Sequence, residues 1–271
     1  MSKIEKRKQM FIGIEVAIGI LFVILLILAI INQHHLYIFI TIFSITLWCF
    51  ASAFWYYRNI KLPYKGLVVK PAIEGIKKGI KYSYKVTHEE AYKEMIKRYN
   101  LLPLARKFDL NDEINDEIDG INYTSFDLIA SHQVSSGKSS HTVIDFQGKV
   151  YDVELGSTYC DYILKEDGKK IKPEGFTKLD LESIKMNDKF DLYTRHTVEI
   201  FKIFTPKLIE ECNKINFFDN KASIICHFAS HFYLFLANKE NQFEKLASPA
   251  EIKLEYNKQY ETLKKYLTPF L

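Results

Sequence analysis

FIGIEVAIGILFVILLILAII occupies residues 11–31, NQHH follows at 32–35, and LYIFITIFSITLWCFASAFW occupies residues 36–55. Each apolar run holds about 20 residues, and a helix of that length spans roughly 30 Å, the thickness of a hydrocarbon core. The short polar segment between the runs fits a tight antiparallel turn. This pattern predicts a transmembrane helical hairpin over residues 1–57, with spans at about 12–31 and 36–55.

One charged residue, Glu15, lies within the two apolar runs. The apolar side chains of the first run favour insertion by about 4 to 9 kcal/mol, which exceeds the cost of about 3 kcal/mol for one central carboxylate. An acidic residue at membrane depth is a candidate for a functional role. The alternative is that Glu15, near the end of its run, reaches the headgroups and is tolerated. A buried soluble hairpin also stays open, whereas a signal peptide is disfavoured because a second span follows.

Basic residues flank the hairpin on both sides and are absent from its NQHH turn. The first span is preceded by Lys3, Lys6, Arg7 and Lys8, and eight further Lys and Arg residues follow the second span before residue 86. Because cytoplasmic flanks carry the excess of Lys and Arg, both termini are predicted to be cytoplasmic.

Residues 58–86 form a lysine-rich stretch with two prolines, predicted to be a juxtamembrane connector. Each basic side chain near the surface can gain about 1 kcal/mol from anionic lipids of the inner leaflet. The candidates for such contacts are Arg58, Lys61, Lys65, Lys70, Lys77, Lys78 and Lys81. The alternative is that these charges set the topology and bind nothing.

The formal net charge of +4 conceals two parts of opposite sign. Residues 1–85 hold 12 basic and 3 acidic residues, whereas residues 86–271 hold 25 basic and 30 acidic residues. A mildly acidic globular part argues against nucleic acid as a partner. The four cysteines are scattered without a C-x-x-C pair, which fits reduced thiols in a cytoplasmic domain.

Residues 87–271 are predicted to form an α+β domain with a mostly antiparallel sheet and flanking helices. The capping-box pattern Thr87–Glu90 predicts a helix, and the acidic stretch Asp109–Asp119 is interpreted as a solvated connector. Strands are predicted at 123–134 and 142–155, joined by a turn at SSGKSS, and a further strand at 176–184. An exposed turn is predicted at Lys165–Lys172.

The C-terminal part predicts two helix starts and one buried strand pair. Thr205-Pro206 is an N-cap followed by proline, and Ser248-Pro249-Ala250-Glu251 is a second capping box. Residues 222–228 and 232–237 are almost entirely apolar, which indicates two buried adjacent strands.

The sequence holds no recognisable catalytic signature, and its patterns assign no catalytic residue, metal or cofactor. His227 and His231 have the spacing of a zinc motif without its glutamate, and on one straight strand they would lie about 13 Å apart. Cys160, Cys212 or Cys226 beside a histidine could form a nucleophile pair, but such pairs arise by chance in most chains of this composition.

A family resemblance rests on Leu181-Glu182-Ser183, Phe190-Asp191-Leu192-Tyr193-Thr194 and Phe204-Thr205-Pro206, with the apolar strand pair and Phe243-Glu244 after them. These runs resemble a bacterial family catalogued as a domain of unknown function, DUF3137. The resemblance implies two N-terminal spans and a cytoplasmic α+β domain in a bacterial cell membrane. His196 and Ile200 depart from the acidic and small residues expected there, and the resemblance implies no activity.

Two hypotheses follow for the function. In the first, the hairpin holds a binding or scaffold domain at the inner leaflet, where it meets a protein or lipid. In the second, the domain is a membrane-tethered hydrolase-type enzyme, which requires a concave pocket with convergent polar groups and shifted pKa values.

Overall fold

The computed structural model describes residues 3–31, 35–137, 139–156, 160–166, 173–181, 183–188, 190–214, 222–238 and 247–271. The chain divides into two compact units, Met1–Pro71 and Ala72–Leu271.

The first unit contains two apolar helices, α1 (Lys3–Ile31) and α2 (His35–Tyr56). Both are long and apolar enough to cross a membrane, as the sequence predicts. Their large side chains point outward, and Phe50 and Leu36 are 73% and 69% exposed. Such surfaces are stable in a hydrocarbon environment and costly in water. The chain is therefore membrane-associated, while the predicted turn at 32–34 lies outside the described residues.

Ring contacts and a side-chain hydrogen bond join α1 and α2. The Phe11 and Trp55 rings stack with centroids 4.9 Å apart, and the Trp48 indole Nε1 donates a hydrogen bond of 3.2 Å to the Glu15 carboxylate. Glu15 is half-buried, and one of its carboxylate oxygens is bonded to the neighbouring helix.

The helix continues beyond α2, where the sequence predicted a connector. A π-helical segment at Tyr57–Lys61 leads into α3 (Leu62–Tyr64), and a second one at Lys65–Val69 leads into α4 (Lys70–Glu74). Pro63 lies at the start of α3, directly after the first π-helical segment.

The second unit is built on one antiparallel sheet with the strand order β1-β2-β3-β4-β9-β8-β5-β7-β6. Its strands are β1 (Lys81–Ser83), β2 (Lys107–Ile118), β3 (Ile121–Ser136), β4 (Ser139–Glu154), β5 (Tyr162–Glu166), β6 (Thr177–Leu179), β7 (Phe190–Thr194), β8 (Ala222–Phe228) and β9 (His231–Ala237). The predicted α+β class is confirmed. The outermost strands in this order, β1 and β6, have three residues each and carry the exposed Lys81 and Lys178.

Helices cover both faces of the sheet. The helices are α5 (Glu89–Arg98), α6 (Ile184–Asn187), α7 (Ile200–Ile203), α8 (Pro206–Lys214) and α9 (Pro249–Leu267). One face, called the α9 face, packs Tyr162, Phe232 and Leu234 against Leu263 and Tyr266. The opposite α5 face packs Phe126 and Phe235 together with Tyr92 and Ile96 of α5.

Local sequence patterns are confirmed where they depend on neighbouring residues. The predicted strands 123–134 and 142–155 correspond to β3 and β4, and the apolar pair corresponds to β8 and β9. The Thr205 hydroxyl accepts the Leu208 N–H at 3.3 Å at the start of α8. At the start of α9, Ser248 and Glu251 form both bonds of a capping box.

The acidic stretch Asp109–Asp119 is wrongly interpreted as a connector, because β2 runs through it to Ile118. Its buried residue Leu110 packs on the α5 face and Ile118 on the α9 face, because a bulge between Asn111 and Ile114 shifts the register. The bulge places Asp112 at φ 57°, in the left-handed region. That irregularity hides the strand period of two.

The prediction of a capping box at Thr87–Glu90 is also wrong, although the predicted helix is present. The N-cap of α5 is His88, without a side-chain cap. The Thr87 N–H and hydroxyl instead donate to the Glu113 carboxylate of β2, at 2.6 and 2.8 Å. A tertiary contact has taken the place of the local one.

Two further predictions fail in part. Lys165 does not begin an exposed turn: it lies in β5, is 1% exposed, and its Nζ is 3.6 Å from an Asp191 carboxylate oxygen. Residues 167–172 of that turn, like Phe243-Glu244, lie outside the described part of the chain. The strand predicted at 176–184 is shorter, because Ile184 begins α6.

Candidate functional site

At one end of the α5 face the side chains change from apolar to polar. Strand pairing lines up two cross-strand rows there. The first row holds Lys81, Asn115, Thr124, Asp152 and Tyr233, and the second holds Glu117, Asn122, Glu154 and His231. The next residues along these strands, such as Phe126, belong to the apolar core.

These rows form the floor of a cleft with a volume of about 330 Å³, here called the polar cleft. Its lining consists of Lys78, Gly79, Lys81, Asn115, Asp116, Glu117, Asn122, Tyr123, Thr124, Asp152, Glu154 and His231. Hydrogen bonds among the floor residues fix their positions: Thr124 donates to Asn115 at 2.7 Å, and Asn122 donates to Glu154 at 3.3 Å.

A chain of three polar groups runs from α5 into the cleft. The Tyr92 hydroxyl donates to one Asp152 oxygen at 2.9 Å, and His231 Nδ1 lies 2.7 Å from the other. The Asp152 side chain is 9% exposed, whereas that of His231 is 39% exposed. The Asp152 carboxylate accepts both hydrogen bonds. The His231 ring is therefore held with Nδ1 as the donor, and Nε2 is the ring nitrogen that is not bonded to Asp152.

The electrostatics of this chain follow from burial. Burial raises the pKa of the Asp152 carboxyl, while the bonds from His231 and Tyr92 oppose that change. Burial and the nearby Asp152 raise the pKa of the Tyr92 hydroxyl, which therefore stays protonated and acts as a donor.

A second buried carboxylate, Asp116, lies at the edge of the cleft. It accepts hydrogen bonds from the Tyr256 hydroxyl of α9 and, at 3.3 Å, from the Tyr123 hydroxyl of β3. Lys77 forms an ion pair with it at 2.9 Å and also donates to the Glu117 carbonyl. Asp116 therefore joins β2, β3, α9 and the segment before β1.

The cysteines do not provide a reactive thiol on the described surface of the second unit. Cys160, Cys212 and Cys226 are buried, and burial raises the pKa of each thiol, that of Cys212 to about 12. A thiol held protonated is a poor nucleophile. The predicted possibility of a Cys–His nucleophile pair gains no support from this arrangement.

His227 and His231 do not lie on one straight strand as assumed from the sequence. They belong to successive strands of the β8–β9 hairpin, where His227 pairs with Phe232 and His231 with Phe228. The two rings consequently lie on opposite faces of the sheet. Burial lowers the pKa of His227, which approaches the Gly156 carbonyl at 3.3 Å. Among the described residues, no group of three His, Cys, Asp or Glu side chains is placed to hold a metal.

The structure separates the seven basic candidates into different environments. Arg58 and Lys70 are exposed and Lys61 is half-buried, whereas Lys65 is 5% exposed. Lys77 pairs with Asp116, and Lys78 and Lys81 line the polar cleft.

Sequence reasoning did not identify the polar cleft. No sequence motif marks Asp152 or Tyr92, and the sequence makes His231 a candidate for zinc or, like any other histidine, for a pair with a cysteine. The signal lies in polar residues at alternating positions of β2, β3 and β4. Such alternation is also typical of a solvent-facing strand surface. The strand order is needed to show that these positions converge.

Comparisons with known proteins agree with the predicted family resemblance. A family model described as a protein of unknown function (DUF3137) matches residues 135–268. No curated protein matches the chain. A crystal structure of the mycobacterial trehalose monomycolate transport factor A, TtfA, is similar at 12% identity with a TM-score of 0.42, covering 74% of this chain and 94% of that one. Similarity at this level supports no functional inference.

Proposed function

We propose that this chain, whose residues 135–268 match the DUF3137 family, is a membrane-tethered binding protein. The helical hairpin anchors it in a bacterial cell membrane with both termini in the cytoplasm. The α+β unit binds a polar partner, a protein segment or a lipid headgroup, at the inner membrane surface. The observation that supports this proposal best is the polar cleft on a rigid sheet within a chain that has two candidate spans.

The floor of the cleft is suited to binding because its side chains are already ordered by one another. Asn115 accepts a hydrogen bond from Thr124 and donates one of 2.8 Å to Glu113. Glu113 in turn accepts a hydrogen bond from Thr87. Ordering these groups in advance reduces the entropy lost when a ligand binds. Acidic Glu117 and Glu154 occur beside basic Lys78 and Lys81, so the cleft can pair with both signs of charge.

We propose lipid contacts for part of the basic set. Arg58, Lys61 and Lys70 remain candidates for anionic headgroups, since their side chains are at least partly exposed. Lys65 is buried and Lys77 is paired, and both are assigned structural roles.

Binding at the cleft can be tested by site-specific photocrosslinking of the full-length protein in cells. A photoreactive residue at Glu154, in the cleft, is expected to give a discrete adduct with a protein or a lipid. The control position is Leu254 of α9, which is 71% exposed and belongs to another part of the surface. The same adducts from both positions, or none from Glu154, would contradict the proposal.

The proposed orientation predicts the behaviour of fusion proteins. Alkaline phosphatase fused after Leu271 is expected to be inactive in intact cells, because the enzyme folds outside the cytoplasm. As a control, fusion after residue 33 retains one span and should give an active enzyme. Activity of the Leu271 fusion would overturn the orientation while leaving the cleft proposal intact.

A further inference from the structure

The contacts of His231 differ from those of a histidine that serves packing alone. Its Nδ1 is bound to Asp152, and Asp152 is bound on its other oxygen by Tyr92. The acid is nearly buried, whereas the imidazole lines an open cavity. A carboxylate that holds one ring nitrogen as donor leaves the other nitrogen with a lone pair in the neutral ring. That is the arrangement required of a general base.

A second histidine provides an internal comparison. His132 Nδ1 lies 2.8 Å from an Asp145 oxygen, so the bonded pair is nearly the same. The His132 side chain is 19% exposed, and neither residue lines the polar cleft. The His231–Asp152 pair differs from the His132–Asp145 pair in two ways: it lines the polar cleft, and its carboxylate is bonded by a third group, Tyr92.

We propose that His231 acts in the polar cleft as a general base that activates water to hydrolyse an uncharged carboxylic ester. This activity goes beyond the proposed binding function, which does not depend on it. Asp152 is a positioning residue in this scheme, because it fixes the ring orientation and tautomer without contacting the substrate.

Water is the nucleophile because the described lining of the cleft offers no serine or cysteine side chain. The Thr124 hydroxyl is already donated to Asn115, and the Tyr123 hydroxyl to Asp116. These bonds leave neither hydroxyl proton directed at the imidazole.

The chemical step is balanced by the residues of the cleft. The oxygen of water attacks the ester carbonyl carbon while its proton passes to His231 Nε2. The carbonyl oxygen then carries the negative charge of a tetrahedral species. When the tetrahedral species collapses, the bond to the alkoxy oxygen breaks and that oxygen takes the proton from Nε2. The products are a carboxylic acid and an alcohol, and His231 is returned to its neutral state.

The charge of the lining selects the class of ester. Four carboxylates line the cleft. Lys77 pairs with one of them, Asp116, and the two lysines of the lining do not balance the other three, so a phosphodiester is disfavoured by repulsion. Most side chains of the lining are polar, which favours an ester of a hydrophilic alcohol over one with two long hydrocarbon groups.

The test uses the full-length protein in detergent micelles with p-nitrophenyl acetate as the probe. The His231→Ala variant is expected to reduce kcat/KM by about 100-fold or more, the contribution of a general base. Imidazole cleaves this ester without protein, so its own rate is measured and subtracted. The remaining rate should rise on adding imidazole to His231→Ala and not on adding it to the wild type, which a purely structural loss would not allow. The matched control, His132→Ala, should stay within about 2-fold of the wild type. The rate enhancement over the uncatalysed reaction should be smaller for bis(p-nitrophenyl) phosphate than for the acetate.

Equal rates for the wild type and His231→Ala, or equal losses in both histidine variants, would overturn the proposal. Thermal unfolding of each variant shows whether a loss of rate reflects a loss of folding. A larger rate enhancement over the uncatalysed reaction for the phosphodiester than for the acetate would overturn the substrate class. The crosslink at Glu154 reports on binding separately, so an inactive protein that still crosslinks leaves the proposed function standing.

Discussion

The Gly148→Ala variant is expected to lose about 3 kcal/mol or more in the free energy of unfolding of the α+β unit. Gly148 lies in β4 opposite Ala237 of β9. A Cβ atom there would lie 2.0 Å from the Leu236 carbonyl oxygen and 2.9 Å from the Ala237 Cα. Both are backbone atoms of a paired strand, so no side chain can move aside to make room. Strands β4 and β9 would therefore have to move apart at the centre of the sheet.

Chemical denaturation of the full-length protein in micelles, followed by far-UV circular dichroism, measures this loss. Gly66→Ala is the control, because Gly66 lies in a helical segment and a Cβ there meets nothing within 4 Å. Alanine is favoured over glycine in a helix by up to about 1 kcal/mol, so this variant should be as stable as the wild type or slightly more so. Similar stability of both variants would show that β4 and β9 tolerate the added carbon.

The Asp116→Ala variant is expected to cost about 3 kcal/mol in the free energy of unfolding. The carboxylate accepts bonds from Tyr123 and Tyr256 and pairs with Lys77, and its own side chain is 1% exposed. Burial raises the pKa of both tyrosine hydroxyls, so they stay protonated and would be left as buried donors without this acceptor. Contact between α9 and the sheet should weaken as a result.

The neighbouring Glu117→Ala variant is the matched control, since Glu117 is exposed and its carbonyl, not its carboxylate, accepts the bond from Lys77. It should lie within about 0.5 kcal/mol of the wild type. Hydrogen exchange can locate the loss in Asp116→Ala. Faster exchange in α9 and β2 is expected, and unchanged exchange there with equal stability of the two variants would contradict the assigned role.

Sequence patterns predicted those parts of the fold that depend on nearby residues. The Ser248 capping box needs contacts within four residues, and the hairpin of β3 and β4 needs alternation on both sides of a glycine turn. The spans follow from length and composition alone. In each case the competing conformation would expose apolar groups or leave backbone groups unpaired.

Features that depend on distant residues were missed. Thr87 is a helix cap by its local pattern, yet Glu113 binds it from a strand that the sequence did not reveal. Asp152 and His231 meet because β4 pairs with β9, although β5 to β8 lie between them in the chain. Strand order is set by packing on both sheet faces, and one sequence does not encode it in a short pattern. The candidate site could not be predicted for the same reason.

The short outer strands of the sheet matter for a protein confined to a surface. Anchored copies diffuse in two dimensions, where collisions between identical domains are frequent. A long bare edge would let neighbouring domains extend one another's sheets and aggregate. Within the described residues, β1 pairs only with Glu113–Asn115 of β2, and β6 ends the other side of the sheet; each of these three-residue strands carries an exposed lysine that copies would bring together as like charges. The short strands and their charges thereby disfavour edge-to-edge pairing of neighbouring domains at β1 and β6.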